Sequence, residues 1–116
     1  MVWTVEYYMD SRGREPVADF IDSLPTEVQA KVLRLINLLA DYGVLLKEPY
    51  TKQIRGKLRE LRITAKSGEV RVFYFAFAEG RMVLLHGFVK KARRTPIRDI
   101  EIAERRLDDF VNRQRG

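Results

Sequence analysis

Between Leu58 and Pro96 the chain reads LRELRITAKSGEVRVFYFAFAEGRMVLLHGFVKKARRTP. Three strand-like runs follow one another, broken only by Ser67-Gly68 and Glu79-Gly80, and nothing else in the sequence restricts the fold as tightly. In Leu58 to Thr64, Leu61 and Ile63 share one face while Leu58, Glu60 and Arg62 share the other. Val70 to Ala78 is apolar on both faces apart from Arg71, which predicts a central strand covered on both sides. Met82 to Val89 is also apolar on both faces. Two tight turns joining three strands predict an antiparallel meander.

The remaining segments must serve that sheet. Val2 to Met9 alternates imperfectly and is rich in β-branched and aromatic residues, which predicts a strand at the sheet's edge or beside a neighbour. Pro16 opens a short helix with Val17, Phe20, Ile21 and Leu24 as its stripe. Thr26 to Tyr42 is strongly helical in pattern. Val28, Val32, Leu35 and Leu39 form its apolar stripe, broadened by Ile36 and Leu38, with Thr26 and Gln29 a candidate capping box and Gly43 its stop. Residues 44–57 read as a connector punctuated by Pro49 and Gly56. The chain closes in a helix capped by Thr95, with Pro96 in its first turn and Ile100, Ala103, Leu107, Phe110 and Val111 in a stripe. Helices this short must lie on a sheet. The expected product is one α+β domain over residues 1–116. It has a small antiparallel sheet of about four strands, two N-terminal helices and one C-terminal helix.

Composition narrows the chemistry. The 116 residues contain no cysteine and one histidine, so thiolate and disulfide chemistry are excluded and a zinc site lacks its ligands. No phosphate loop or dinucleotide fingerprint is present, and no cofactor or metal is expected. No signal peptide and no 18-residue apolar run occur, which points to the cytoplasm and away from the membrane. The net charge of +6 is unevenly placed. Residues 1–50 carry 5 basic and 8 acidic residues, whereas residues 51–116 carry 17 basic and 8 acidic. The second half is therefore a candidate surface for a polyanion.

The basic residues cluster around the meander. Arg71, beside three phenylalanines, is costly to bury alone. It either pairs with Glu60 or another acid across the sheet, or opens onto a cleft where a phosphate docks. Arg62 is the better site residue if that cleft lies opposite Leu61. Arg59 faces the other way and is equally suited to pairing with the terminal helix. Lys90, Lys91, Arg93 and Arg94 repel one another unless something acidic approaches. His86, the one group that titrates near neutrality unperturbed, is either a packed sheet histidine or a reserve base. Cleavage of RNA by its own 2′-hydroxyl needs no metal. It needs a base, an acid and cations around the charged phosphorane.

The segments Leu58-Arg59-Glu60-Leu61-Arg62, Val70-Arg71-Val72-Phe73-Tyr74 and Leu84 to Lys91, followed by Thr95-Pro96 and a helix containing Ala103, resemble the RelE/ParE superfamily of bacterial toxins. The likeness is strongest to the HigB-like, phage-derived branch and runs through nearly the whole chain. It implies a ribosome-dependent messenger-RNA interferase of a type II toxin–antitoxin system. The partner would be a helix-turn-helix antitoxin. The resemblance assigns the scissile phosphate to Arg71 and transition-state stabilisation to Lys90 or Lys91, with Lys57, Arg59 and Arg62 in the region that binds RNA and assists catalysis. Arg93 and Arg94 extend the RNA-binding surface. The well-known RelE-type enzymes carry a tyrosine early in the last helix, where this chain has Pro96-Ile97, so the general base stays open. ParE-like inhibition of gyrase and a non-enzymatic nucleic-acid-binding module are the alternatives that the same fold allows.

Overall fold

The computed structural model describes residues 3–66, 68–78, 80–91, 93 and 95–115. The elements run β1 (Thr4–Tyr7), α1 (Pro16–Asp22), α2 (Thr26–Tyr42), a 3₁₀ turn (Gly43–Leu45), β2 (Thr51–Arg55), β3 (Leu58–Ala65), β4 (Gly68–Phe77), β5 (Arg81–Lys90) and α3 (Ile97–Arg115). One five-stranded sheet has the order β1-β5-β4-β3-β2. The meander β3-β4-β5 is antiparallel as its turns require, and β4 is the central strand. The predicted turn residues Ser67 and Glu79 lie outside the described residues.

Two features of the sheet differ from the sequence reading. The sheet is mixed, because β1 runs parallel to β5 along its edge, Thr4 opposite Arg81 and Tyr7 opposite Leu84. It also has a fifth strand, β2, where a connector was expected. Thr51-Lys52-Gln53-Ile54-Arg55 pairs antiparallel with β3 and turns at Gly56. Only Thr51 is buried in it. An edge strand needs no apolar face, so it leaves no hydrophobic alternation to read.

The two faces bury different chemistry. Helices α1 and α2 cover a core of Leu61, Ile63, Val70, Val72, Tyr74, Met82 and Leu84. Helix α3 covers Leu58, Phe73, Phe75, Val83, Leu85 and Phe88 through Ile100 and Ala103. Helix α2 occupies the predicted span, and of the predicted stripe Val28, Val32, Ile36 and Leu39 are buried. Leu35 lies at the margin of that stripe, partly buried. The expected capping box is absent. Pro25 precedes the helix, and the Gln29 amide donates instead to the carbonyls of Asp22 and Leu24.

Two glycines set close approaches. Gly43 ends α2 at φ 54°, and a Cβ there would lie 2.0 Å from the Trp3 ring. Gly87 lies under Phe20 of α1, whose ring would be 2.4 Å from an added Cβ. A register shift between Phe73 and Tyr74 leaves Leu85 as an extra residue in β5. This bulge turns His86 as well as Leu85 toward α3, where simple alternation would have put His86 beside Leu84.

Candidate functional site

Register builds the site. Arg62 on β3 stands opposite Arg71 on β4, Arg71 stands opposite Phe88 on β5, and Glu69 stands opposite Lys90. All these side chains belong to the α3 face of the sheet, at the end where β5 leads into α3. Two arginines directly opposed repel one another. Glu60 answers this from one pair along. Its Oε1 lies 3.6 Å from Arg62 Nε and 3.7 Å from Arg71 Nε. Glu69 takes the other side of Arg71, with Nη2 donating to Oε1 at 2.8 Å. Arg71 Nη1 donates to the Val70 carbonyl at 3.2 Å.

Arg71 is therefore 3% exposed and ion-paired on two sides. Of the two roles open to it from the sequence, the structure favours the paired one. Its guanidinium still borders a concavity of about 290 Å³ with Glu69, Lys90, Lys91 and Arg93. Arg71 Nε has no hydrogen-bond partner despite being buried. The Arg71 hydrogen bond, with further help from Thr64, holds the Glu69 carboxyl below its usual range. A second concavity of about 440 Å³ shares Lys90 and Arg93 and continues past Glu60 and Lys52 to Thr95, Pro96 and Ile100. Around Arg71 the cations are Arg62, Arg71, Lys90, Lys91 and Arg93, and the carboxylates are Glu60 and Glu69. The group carries an excess of three positive charges. Such a groove can neutralise a phosphate backbone.

The other predicted site residues lie elsewhere. Lys57 is exposed in the β2–β3 turn, beside Arg55 and Glu104. It is about 16 Å along the strand from Arg62. Arg59 points to the opposite face, donating to the Tyr74 hydroxyl at 3.4 Å and the Thr51 hydroxyl at 3.2 Å. The pairing of Arg59 with the terminal helix does not occur. Arg55 takes that part, holding Glu104 with two bonds of 2.6 and 2.8 Å. Arg94 lies outside the described residues.

His86 is a packing residue in this arrangement. It stacks on Phe88 at 5.6 Å and its Nε2 is 2.8 Å from Asp99 Oδ1 of α3. Arg106 Nη1 donates to the Leu85 carbonyl at 2.8 Å and lies 3.3 Å from His86 Nδ1. These partners fit the neutral tautomer with Nε2–H donating to Asp99. Burial lowers the His86 pKa below its ordinary value, with Arg106 adding to this and Asp99 opposing it. The ring borders neither of the two basic concavities.

Sequence reasoning missed Lys52, Glu69 and Asp99 as neighbours of these groups. Lys52 was hidden with its strand. Glu69 could have been found, because it shares a strand face with Arg71 two positions on. Among the described residues no group of three or more metal-ligating side chains converges, and no helix is long and apolar enough to cross a membrane.

A mixed sheet with α1 and α2 on one face, α3 on the other and a cationic groove at one end defines a small α+β domain suited to an anionic chain. The family model described as Phage derived protein Gp49-like (DUF891) matches residues 19–108, and the chain belongs to that family. No curated protein matches it.

Proposed function

We propose that this protein is the toxin of a type II toxin–antitoxin system, a cytoplasmic endoribonuclease that cleaves messenger RNA on the ribosome without a metal. The observation that carries the reading is the groove where Lys90, Lys91 and Arg93 surround the buried Arg71. Membership of a phage-derived family associated with RelE-like toxins supports it.

The reaction divides among these side chains as follows. The RNA 2′-oxygen attacks phosphorus, the bond from phosphorus to the 5′-oxygen breaks, and a 2′,3′-cyclic phosphate and a 5′-hydroxyl result. Lys90 and Lys91 stand at the rim, and the one that is an ammonium balances the charge of the phosphorane. Arg71 supplies a fixed positive charge from the floor, held in place by Glu60 and Glu69. Arg62 and Arg93 guide the backbone. One of the two rim lysines, Lys90 or Lys91, takes the 2′-proton as general base. The other lysine, as ammonium, gives a proton to the 5′-oxygen. A helix-turn-helix antitoxin encoded beside this chain neutralises it.

Primer-extension mapping of a transcript on translating ribosomes tests the reading, with magnesium chelated during the chemical step. Lys91→Ala lowers cleavage by about 10²–10³-fold, the loss typical of one charge-stabilising donor. Arg115→Ala leaves it unchanged. Full cleavage by folded Lys90→Ala and Lys91→Ala proteins overturns the assignment. Gyrase-dependent DNA breaks without transcript cleavage would transfer the fold to the ParE-like activity. Co-expression with the product of the adjacent gene should restore growth and yield a complex.

A further inference from the structure

A concavity larger than the basic groove lies elsewhere among the described residues. It is a cleft of about 650 Å³ on the opposite face of the sheet, beyond the reach of α2. Its floor is Tyr74, Ala76 and Met82, and Val44 of the 3₁₀ turn forms one wall. Ala76 is exposed although it belongs to the central strand, because no helix covers this corner. Val44 is 53% exposed, and Tyr42 and Leu45, close to it along the chain, are 53% and 71% exposed.

Arg59 gives this surface its polarity. It is half-buried, and its described partners are two hydroxyls, those of Tyr74 and Thr51. Two of its five N–H donors are used, at long distances, and three stay open. Thr51 spends its own proton on the Leu46 carbonyl. The Tyr74 hydroxyl, accepting from Arg59, keeps a proton to give. Lys47 and Lys52 also border the cleft, against the single carboxylate of Glu48. Among the described residues, none of these three cations has a carboxylate within 4 Å. Every other strand arginine in the sheet, namely Arg55, Arg62, Arg71 and Arg81, has one.

We infer that this cleft is a docking site for a partner protein's amphipathic segment, which lays apolar side chains on Val44, Leu45 and Ala76 and a carboxylate on Arg59. The open forked donors of Arg59 suit a carboxylate oxygen pair. The apolar floor fits a polypeptide better than a phosphate backbone, which would leave the floor uncovered. The site lies on the reverse of the Arg71 groove, so a partner seated there leaves the groove open. The inference stands whether or not that groove cleaves RNA.

Chemical-shift mapping of the full chain tests it with three probes. They are a short synthetic amphipathic peptide of leucine and glutamate, the same peptide with glutamine for glutamate, and a single-stranded oligouridylate. The acidic peptide is expected to shift the amides of Gln53, Arg59 and Ala76 together with the Arg59 Nε–H. The glutamine peptide binds about tenfold more weakly, as the loss of a charge-assisted hydrogen bond requires. Arg59→Gln weakens the acidic peptide by the same factor, and Lys91→Ala does not. Ala76→Asp, at an exposed position, closes the cleft without touching Arg59 and also removes binding. The inference is overturned if the acidic peptide shifts only the Lys90–Lys91 region, if it shifts nothing, or if the oligouridylate occupies the cleft in its place.

Discussion

Arg71 and Arg59 stand on neighbouring strands and differ in almost everything that decides what an arginine does. Arg71 is closed in by Glu60 and Glu69 and is 3% exposed. Arg59 is half open and has only hydroxyl partners among the described residues. The first arginine is fixed in place by two carboxylates. The second keeps donors for something outside it. Counting cations along the sequence ranks the two alike. The carboxylates around each set them apart: Arg71 has two, and Arg59 has none within 4 Å among the described residues.

The sharpest test of that contrast removes a carboxylate. Glu60→Ala leaves Arg62 and Arg71 facing each other with no charge between them, and unfolding in urea should show a loss of about 3–5 kcal/mol. Replacing Glu60 by Leu and Arg71 by Met together should recover most of it, since the pair's desolvation cost disappears with both partners. Arg71→Ala falls between the two, because Glu60 retains Arg62. It lowers stability and so cannot by itself report on catalysis. Arg59→Met should cost less than about 1 kcal/mol, because it gives up two long, partly solvated hydrogen bonds. An Arg59→Met loss as large as that of Glu60→Ala would erase the distinction.

A smaller effect comes from pH. The His86 pKa is lowered in the fold from 6.5 by burial, so the unfolded chain binds the proton more readily. The stability that neutral His86 contributes is complete above the unfolded value and falls as pH drops through 6.5 toward the folded value. His86→Gln should flatten this part of the unfolding profile without altering cleavage. Chemical unfolding of both proteins across that range checks it, and a steeper slope in the variant would count against the packing role. Leu35→Ala set against Ile36→Ala checks the core side of α2. The second should cost about 2–5 kcal/mol and the first clearly less, since only Ile36 lies within the buried stripe.

The sequence by itself determined the meander, the span of α2, the terminal helix and the gathering of cations at the end of β5. Each rests on local signals: alternation, helical spacing, and glycines at turns. It offered Glu60 as a partner for Arg71 but left that pairing and an open phosphate site standing side by side. Only the tertiary structure showed the pairing. Burial depends on what α3 and the neighbouring strands lay over a side chain, and no spacing along one strand reports that. The edge strand β2 escaped because an exposed strand has no apolar face to show. His86 turned toward Asp99 because a bulge shifted the period by one residue, and the strand pairing that creates the bulge is non-local. The Arg59 cleft was hidden for a related reason. It exists where the sheet extends beyond α2, and that depends on how far a helix reaches across a surface made by four other segments of the chain.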